Sequence, residues 1–340
     1  MQFSASSSDV SAAVSPTIVV FVLIPNFSLI AFGSAIEPLR VANRISGKSL
    51  YRWTIVSADG KPVRASNGLE ANVEGAILDL ASAAIDINKA DYIFVCSGLE
   101  VEKFQHSNFS GWLTRQHQKG VTIGGLCTGA WLLAKAGLLE DRRCAIHWES
   151  LPAFSEKFPD ADVHADLFEI DDNIYTCAGG TAALDMILQI IGDQHDEELV
   201  SKVCELCLID RVRASQDRQR LPLRARIGIH NSKLLQLIEL MERNISIPMT
   251  LEEISSEAHL SRRHVERLFR QNLGRSPARY YLELRLERAR HLLLQSDMPI
   301  VEVAIACGFV SASHFSKCYR SLFNRSPQGD RRDPSRAGAA

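Results

Sequence analysis

Ser261-Arg-Arg-His-Val-Glu-Arg-Leu-Phe-Arg270 and, fifty residues later, Ser311-Ala-Ser-His-Phe-Ser-Lys-Cys-Tyr-Arg320 are two copies of one pattern. Each is followed by Arg-Ser-Pro, at 275–277 and 325–327. Upstream, Ile254 and Ala258 match Val303 and Cys307 at a shift of 49, so one extra residue falls in a turn near Val310. What the copies share has physical reasons. Ser261 and Ser311 stand where a helix needs an N-cap. Val265, Leu268 and Phe269 are spaced i, i+3, i+4, as are Phe315, Cys318 and Tyr319. Each set makes an apolar stripe that must pack on a preceding helix. Gly274 and Asn324 both tolerate the left-handed conformation that ends a helix. The pattern predicts two helix-turn-helix units.

The outward positions are Arg262, Arg263, His264, Arg267 and Arg270 in the first copy, and Ser313, His314, Lys317 and Arg320 in the second. A short helix with a buried stripe and a cationic outer face suits the major groove of double-stranded DNA. These nine residues are the candidate DNA contacts. The first copy, richer in arginine, is expected to carry more of the base reading. Between the copies, Leu282, Leu286, Ala289 and Leu293 form one apolar helical seam. A helix there would fix the two units so that they enter successive grooves about 34 Å apart.

Charge points the same way. From Arg211 onward there are 23 Lys and Arg against 13 Asp and Glu; residues 1–210 hold 15 against 27. A basic end on an acidic body fits a polyanionic partner. The 340 residues suggest two domains. The apolar run Ile18–Ile24 is too short to span a membrane. Met1–Pro16 lacks Lys and Arg and fails as a signal peptide, so a cytoplasmic protein is expected. The eight cysteines are scattered, and the one C-x2-C pair, Cys204 and Cys207, lacks a second pair for zinc. Reduced core thiols, with no metal and no cofactor, are expected.

Residues 17–210 alternate short apolar runs with helical periods. Strands are predicted at Thr17–Ile24, Tyr92–Cys96 and Val121–Gly124. Helices are predicted at Leu29–Asn43, Phe104–Gln118, Thr128–Ala136, Thr181–Ile191 and from about Asp196 to Arg213. The alternation implies an α/β fold with a parallel sheet covered on both faces. Only helix signals follow Asn231. The expected organisation is a disordered tail at 1–16, an α/β domain at 17–210, a linker at 211–230, an all-α DNA-binding domain at 231–332, and a disordered tail at 333–340.

In the α/β part, an apolar strand runs into Gly125-Leu-Cys127-Thr-Gly129 and then a helix. Small residues two places either side of a nucleophile-capable residue are the geometry of a nucleophile elbow. At the start of the following helix Cys127 would be favoured as thiolate. A cysteine hydrolase also needs a base; Thr128 follows the cysteine, and His147 is the downstream histidine. An inert elbow in a pocket, thiol or redox chemistry, and catalysis are the open readings of Cys127, with no catalytic residue assigned.

Residues 236–332 resemble the AraC/XylS-type DNA-binding domain, most closely in Ile305-Ala-Cys-Gly-Phe-Val-Ser-Ala-Ser-His-Phe-Ser-Lys-Cys-Tyr-Arg320. The N-terminal part resembles the PfpI-type, class I glutamine amidotransferase-like superfamily. More narrowly, it is similar to the version fused to AraC-type domains in GlxA-type regulators. Ala35–Asn43, the Cys127 elbow, His147-Trp148 and Tyr175–Asp185 carry that likeness. It implies a flavodoxin-like α/β sandwich. Enzymes of the superfamily commonly have histidine after the nucleophile, where this chain has Thr128; the departure fits an effector-binding module. The resemblance implies that Glu37 is a buried acid near the cysteine. With it, Phe27, Gly98, Cys127, Thr128, His147, Trp148 and Thr181 are the candidate effector residues.

Amide N–H groups at Gly98 and Thr128 would receive a carboxylate, and Phe27 and Trp148 would face a quaternary ammonium. That suits a small zwitterion. The chain also looks like the glycine-betaine-responsive branch of the family; carnitine- and arginine-responsive relatives share the framework. The expected function is therefore a metabolite-controlled transcription activator. Its expected partners are DNA, RNA polymerase, the small-molecule effector and a second copy of the chain, with no membrane. The alternative is a cysteine amidase or hydrolase with an accessory DNA-binding domain.

Overall fold

The computed structural model describes residues 15–77, 89–219 and 231–332. Most of both expected tails, and residues 220–230 of the expected linker, lie outside them. The chain divides into two compact units, Met1–Ile146 with Asp160–Asp217, and His147–Pro159 with Arg218–Ala340.

The first unit is built on seven strands. In chain order they are β1 (Thr17–Leu23), β2 (Tyr51–Ser57), β5 (Gly75–Ala76), β6 (Tyr92–Cys96), β7 (Thr122–Leu126), β10 (Phe168–Asp171) and β11 (Ile174–Cys177). They lie in the order β10-β11-β7-β6-β1-β2-β5. Two small sheets pair β3 (Val63–Arg64) with β4 (Glu70–Ala71), and β8 (Arg143–Ala145) with β9 (Asp162–His164). All main-sheet neighbours are parallel except β10 and β11, which are antiparallel. That edge corrects the expectation of a wholly parallel sheet. The two residues joining those strands include Asp172 at φ 56°, and so tight a turn can only reverse the chain.

β1 explains why the sheet is central. Val19, Phe21 and Leu23 pack into the cluster formed with α1 (Leu29–Ser46), α5 (Ala182–Gln194) and α6 (Glu197–Leu206). Val20 and Val22, equally buried, alternate to the other face. A strand covered on both sides reads as a continuous apolar run. α2 (Phe109–Gln118) and α3 (Ala130–Lys135) pack on each other and on β7.

Two predicted helices are shorter than expected. α2 begins at Phe109, after a separate 3-10 turn at Val101–Lys103. α6 stops at Leu206: Leu208 turns left-handed at φ 56°, and the Ile209 N–H closes back onto the Cys204 carbonyl. Beyond it, residues 211–217 belong to the first unit instead of leaving it. Ser215 there accepts a hydrogen bond from the Leu167 N–H.

The second unit holds α4 (Leu151–Lys157), α7 (Ser232–Arg243), α8 (Leu251–Glu257), α9 (Arg262–Leu273), α10 (Pro277–Gln295), α11 (Ile300–Ala306), α12 (Ala312–Phe323) and α13 (Pro327–Arg332). Its helix ends obey the sequence. Ser261 and Ser311 accept from the N–H groups of His264 and His314, and Gly274 and Asn324 close their helices at φ 66° and 54°. Thr250 and Glu253 complete a capping box on α8. α7, α8, α9 and the start of α10 share one core, centred on Leu237, Ile254, Val265 and Phe269.

Candidate functional site

On α9, Val265, Leu268 and Phe269 are buried, which turns the remaining positions outward. Arg263, His264, Arg267 and Arg270 line one open concavity. On α12, Phe315 and Tyr319 are buried, and Ser313, Lys317 and Arg320 line a second concavity. Arg263, Arg267, Arg270, Lys317 and Arg320 are exposed and have no ion-pair partner among the described residues. Two members of the expected set are drawn aside. Arg262 donates to Glu252 of α8 at 2.7 Å and to Glu266 at 3.3 Å. The His314 imidazole lies 3.3 Å from the Cys318 sulfur, with its ring 6.0 Å from that of Phe309.

α10 links the two helix-turn-helix motifs within the second unit. Nineteen residues of helix span about 28 Å. At one end the Tyr281 hydroxyl donates to the Asn244 carbonyl at 2.5 Å. One turn on, Arg285 donates to the carbonyls of Cys307 and Gly308 at 2.8 and 2.7 Å, with its guanidinium over the Phe309 ring. Further along, Arg290 reaches Asp330, fully buried in α13, which also takes Arg325 and the Tyr319 hydroxyl.

In the first unit, the elbow has the predicted geometry. Cys127 is left-handed at φ 62°. A Cβ on Gly125 would meet the Ala130 nitrogen at 2.6 Å, and one on Gly129 the Val95 carbonyl at 2.3 Å. A third glycine closes the turn from outside: a Cβ on Gly179 would lie 2.9 Å from the Cys127 sulfur. The Thr128 hydroxyl is buried and donates to the Gly98 carbonyl at 2.7 Å, with Ser97 at 3.2 Å. The residue after the cysteine is therefore a structural tie.

The other expected effector residues separate. Phe27 is fully buried, its ring edge-on to Phe32; it is a core aromatic and presents no face to a ligand. Glu37 is not a buried acid. Its side chain is 53% exposed and paired with Arg40 at 2.7 Å, because its position on α1 turns it away from the sheet. Thr181 is exposed, and its hydroxyl accepts from Arg213 at 2.7 Å. His147 and Trp148 group with the second unit. There the Trp148 ring lies 5.7 Å from His147 and 6.0 Å from His291, and burial pushes the His147 pKa down.

Sequence reasoning missed Arg213 as a partner of the helix beside the elbow. Its backbone N–H and guanidinium both bind Asp185, a carboxylate buried in α5. The signal was a lone acid in an otherwise apolar run, Ala182–Ile191, which demands a partner.

Of the remaining cysteines, Cys96, Cys144, Cys177 and Cys307 are core thiols, and Cys204, Cys207 and Cys318 are partly exposed. Burial pushes Cys144 and Cys307 up to about 12 and Cys177 up to about 11, and raises Cys204 and Cys207 too. Among the described residues, His164, Asp166 and Glu169 are the one group of three metal-ligand types within reach of each other. The Arg143 guanidinium already sits between the two carboxylates.

Comparison with known proteins places both halves. Residues 18–193 match the DJ-1/PfpI family, and residues 254–333 match a helix-turn-helix domain. The chain is 44% identical to the HTH-type transcriptional regulator GbdR of Pseudomonas aeruginosa over 93% of its length and 84% of that protein. It is 45% identical to CdhR of the same species, over 92% and 90%. It is 36% identical to GlxA of Rhizobium meliloti, over 92% and 94%. Among solved structures, an AraC family transcriptional regulator from Pseudomonas putida superposes on 56% of this chain and all of its own, with TM-score 0.51 and 28% identity. The chain belongs to the AraC family of helix-turn-helix transcriptional regulators whose N-terminal domain is of the DJ-1/PfpI family. It is a DNA-binding transcription regulator, and among the described residues no helix is long and apolar enough to cross a membrane.

Proposed function

We propose that this regulator is a cytoplasmic, metabolite-controlled activator. Its DJ-1/PfpI-like domain takes a small zwitterion of the glycine betaine, dimethylglycine, carnitine or arginine type. Its C-terminal domain reads the operator through Arg263, His264, Arg267 and Arg270, with Ser313, Lys317 and Arg320 on the second unit. Arg262 and His314 support those surfaces from the side. A second copy and RNA polymerase complete the active complex.

The observation that carries the non-enzymatic reading is Thr128. The elbow that exposes a nucleophile is kept, yet the residue beside the cysteine spends its hydroxyl on the Gly98 carbonyl. An elbow whose adjoining hydroxyl is committed to the scaffold fits recognition better than turnover. The test is Cys127→Ala. The reading expects metabolite-dependent transcription to survive and no amide or ester hydrolysis from either protein. Turnover by the wild type that disappears in Cys127→Ala would favour the hydrolase alternative.

A further inference from the structure

The α/β unit carries a cleft used by neither the elbow nor the DNA-reading helices. It measures about 560 Å³ and opens at the carboxyl ends of β1 and β2, between Asn26, Asp59, Arg64, Glu100, Phe104 and His106. Topology puts it there. The chain passes from β1 to β2 on one side and returns to β6 on the other. The strand order therefore reverses at β1, and open α/β sheets bind ligands at such a switch point.

The walls are preorganised. The Asn26 N–H donates to the Arg64 carbonyl at 2.8 Å, and the Leu99 N–H to the Asn26 carbonyl at 3.0 Å, so three loops are stitched together. Asn26 and Glu100 are both left-handed, at φ 61° and 60°, and their side chains meet at 3.2 Å. Left-handed non-glycine residues are held only where their surroundings over-determine them, and they cluster at ligand sites.

The charges are arranged for a molecule with two poles. Lys61 is paired with Asp59, and Lys103 with Glu100. The Arg64 guanidinium, exposed on β3, has no hydrogen-bond or ion-pair partner among the described residues. The His106 Nδ1 is buried without a partner. Phe104 supplies an apolar wall.

We propose that this cleft, and not the elbow, is the effector site. A ligand carboxylate docks on the Arg64 fork, its cationic end turns toward Glu100 and Asp59, and Phe104 covers the carbon between. The volume suits a metabolite of amino-acid size. The proposal rests on the reading of this domain as a metabolite sensor.

The test is calorimetric titration of the full chain with glycine betaine, carnitine, dimethylglycine and arginine, and with choline as a cation lacking the carboxylate. At least one zwitterion should bind, and choline at least tenfold more weakly. Arg64→Gln should weaken the zwitterion at least tenfold and erase its advantage over choline. Glu100→Gln should weaken both. Operator binding without ligand should be unchanged in either variant. A zwitterion that binds wild type, Arg64→Gln and Glu100→Gln alike would overturn the cleft and leave metabolite control standing. No binding by any of the four zwitterions to the wild type would overturn both.

Discussion

Arg213 closes on Asp185 with three donors: its backbone N–H at 2.8 Å, Nε at 3.0 Å and a terminal nitrogen at 2.6 Å. The Asp185 side chain is 2% exposed. The last stretch of the α/β unit before the DNA-binding domain is thereby fastened to α5. The same guanidinium holds Thr181, two residues past the glycine that abuts Cys127. Arg213→Ala leaves the buried carboxylate with the backbone N–H alone, and removing the charged partner of a buried pair costs about 3–5 kcal/mol. Asp185→Asn removes the charge and should cost less. Urea denaturation of the two variants checks the order.

Arg263→Ala and Arg267→Ala should lose base discrimination, by about 1–3 kcal/mol for each bidentate contact removed. Lys317→Ala should weaken all sequences alike and reduce the salt slope of binding by about one ion. Arg262→Ala should change neither by much, because its guanidinium is spent on Glu252 and Glu266. Fluorescence anisotropy on operator and scrambled DNA at several salt concentrations separates the three outcomes.

Gly129→Ala should destabilise the first unit by more than about 1 kcal/mol, since the new methyl would meet the Val95 carbonyl at 2.3 Å. Gly33→Ala, with nothing within 4 Å of the added carbon, should be neutral or slightly stabilising. Thermal melts of the two variants provide the comparison.

Burial lowers the pKa of His147 and of His117 below the ordinary histidine value. The unfolded chain then takes up protons at a higher pH than the folded one. The stability tied to the neutral rings is fully present above about pH 6.5 and is lost as pH falls through the folded values. Stability should therefore decline between pH 7 and pH 5, and the decline should be shallower in the double variant His117→Gln/His147→Gln. Chemical denaturation across that range measures it.

Local chemistry made much of this protein legible. Ser261, Ser311, Gly274 and Asn324 are read correctly because caps depend on neighbours three or four residues away. The elbow is read for the same reason: Gly125 and Gly129 are needed within a single turn. Side-chain direction on a helix surrounded by other elements is different. Glu37 has a nearly apolar helix around it, and only the packing of α1 on α5 and α6 decides that it faces outward. The Arg262–Glu252 pair and the Arg213–Asp185 grip join residues 10 and 28 apart, beyond any local rule. The cleft at Arg64 needs three loops brought together from the ends of three strands, and no single stretch announces it.

The helix that joins the reading heads has a consequence for the DNA. Tyr281 ties α10 to the first head and Arg285 ties it to the second, so the distance and the rotation between them are set by a rod and not by a tether. With the DNA contacts proposed above, the protein would act as a gauge of helical phase. One base pair inserted between the two contacted segments of the operator would swing the second segment by about a tenth of a turn. The rod offers no slack to follow it.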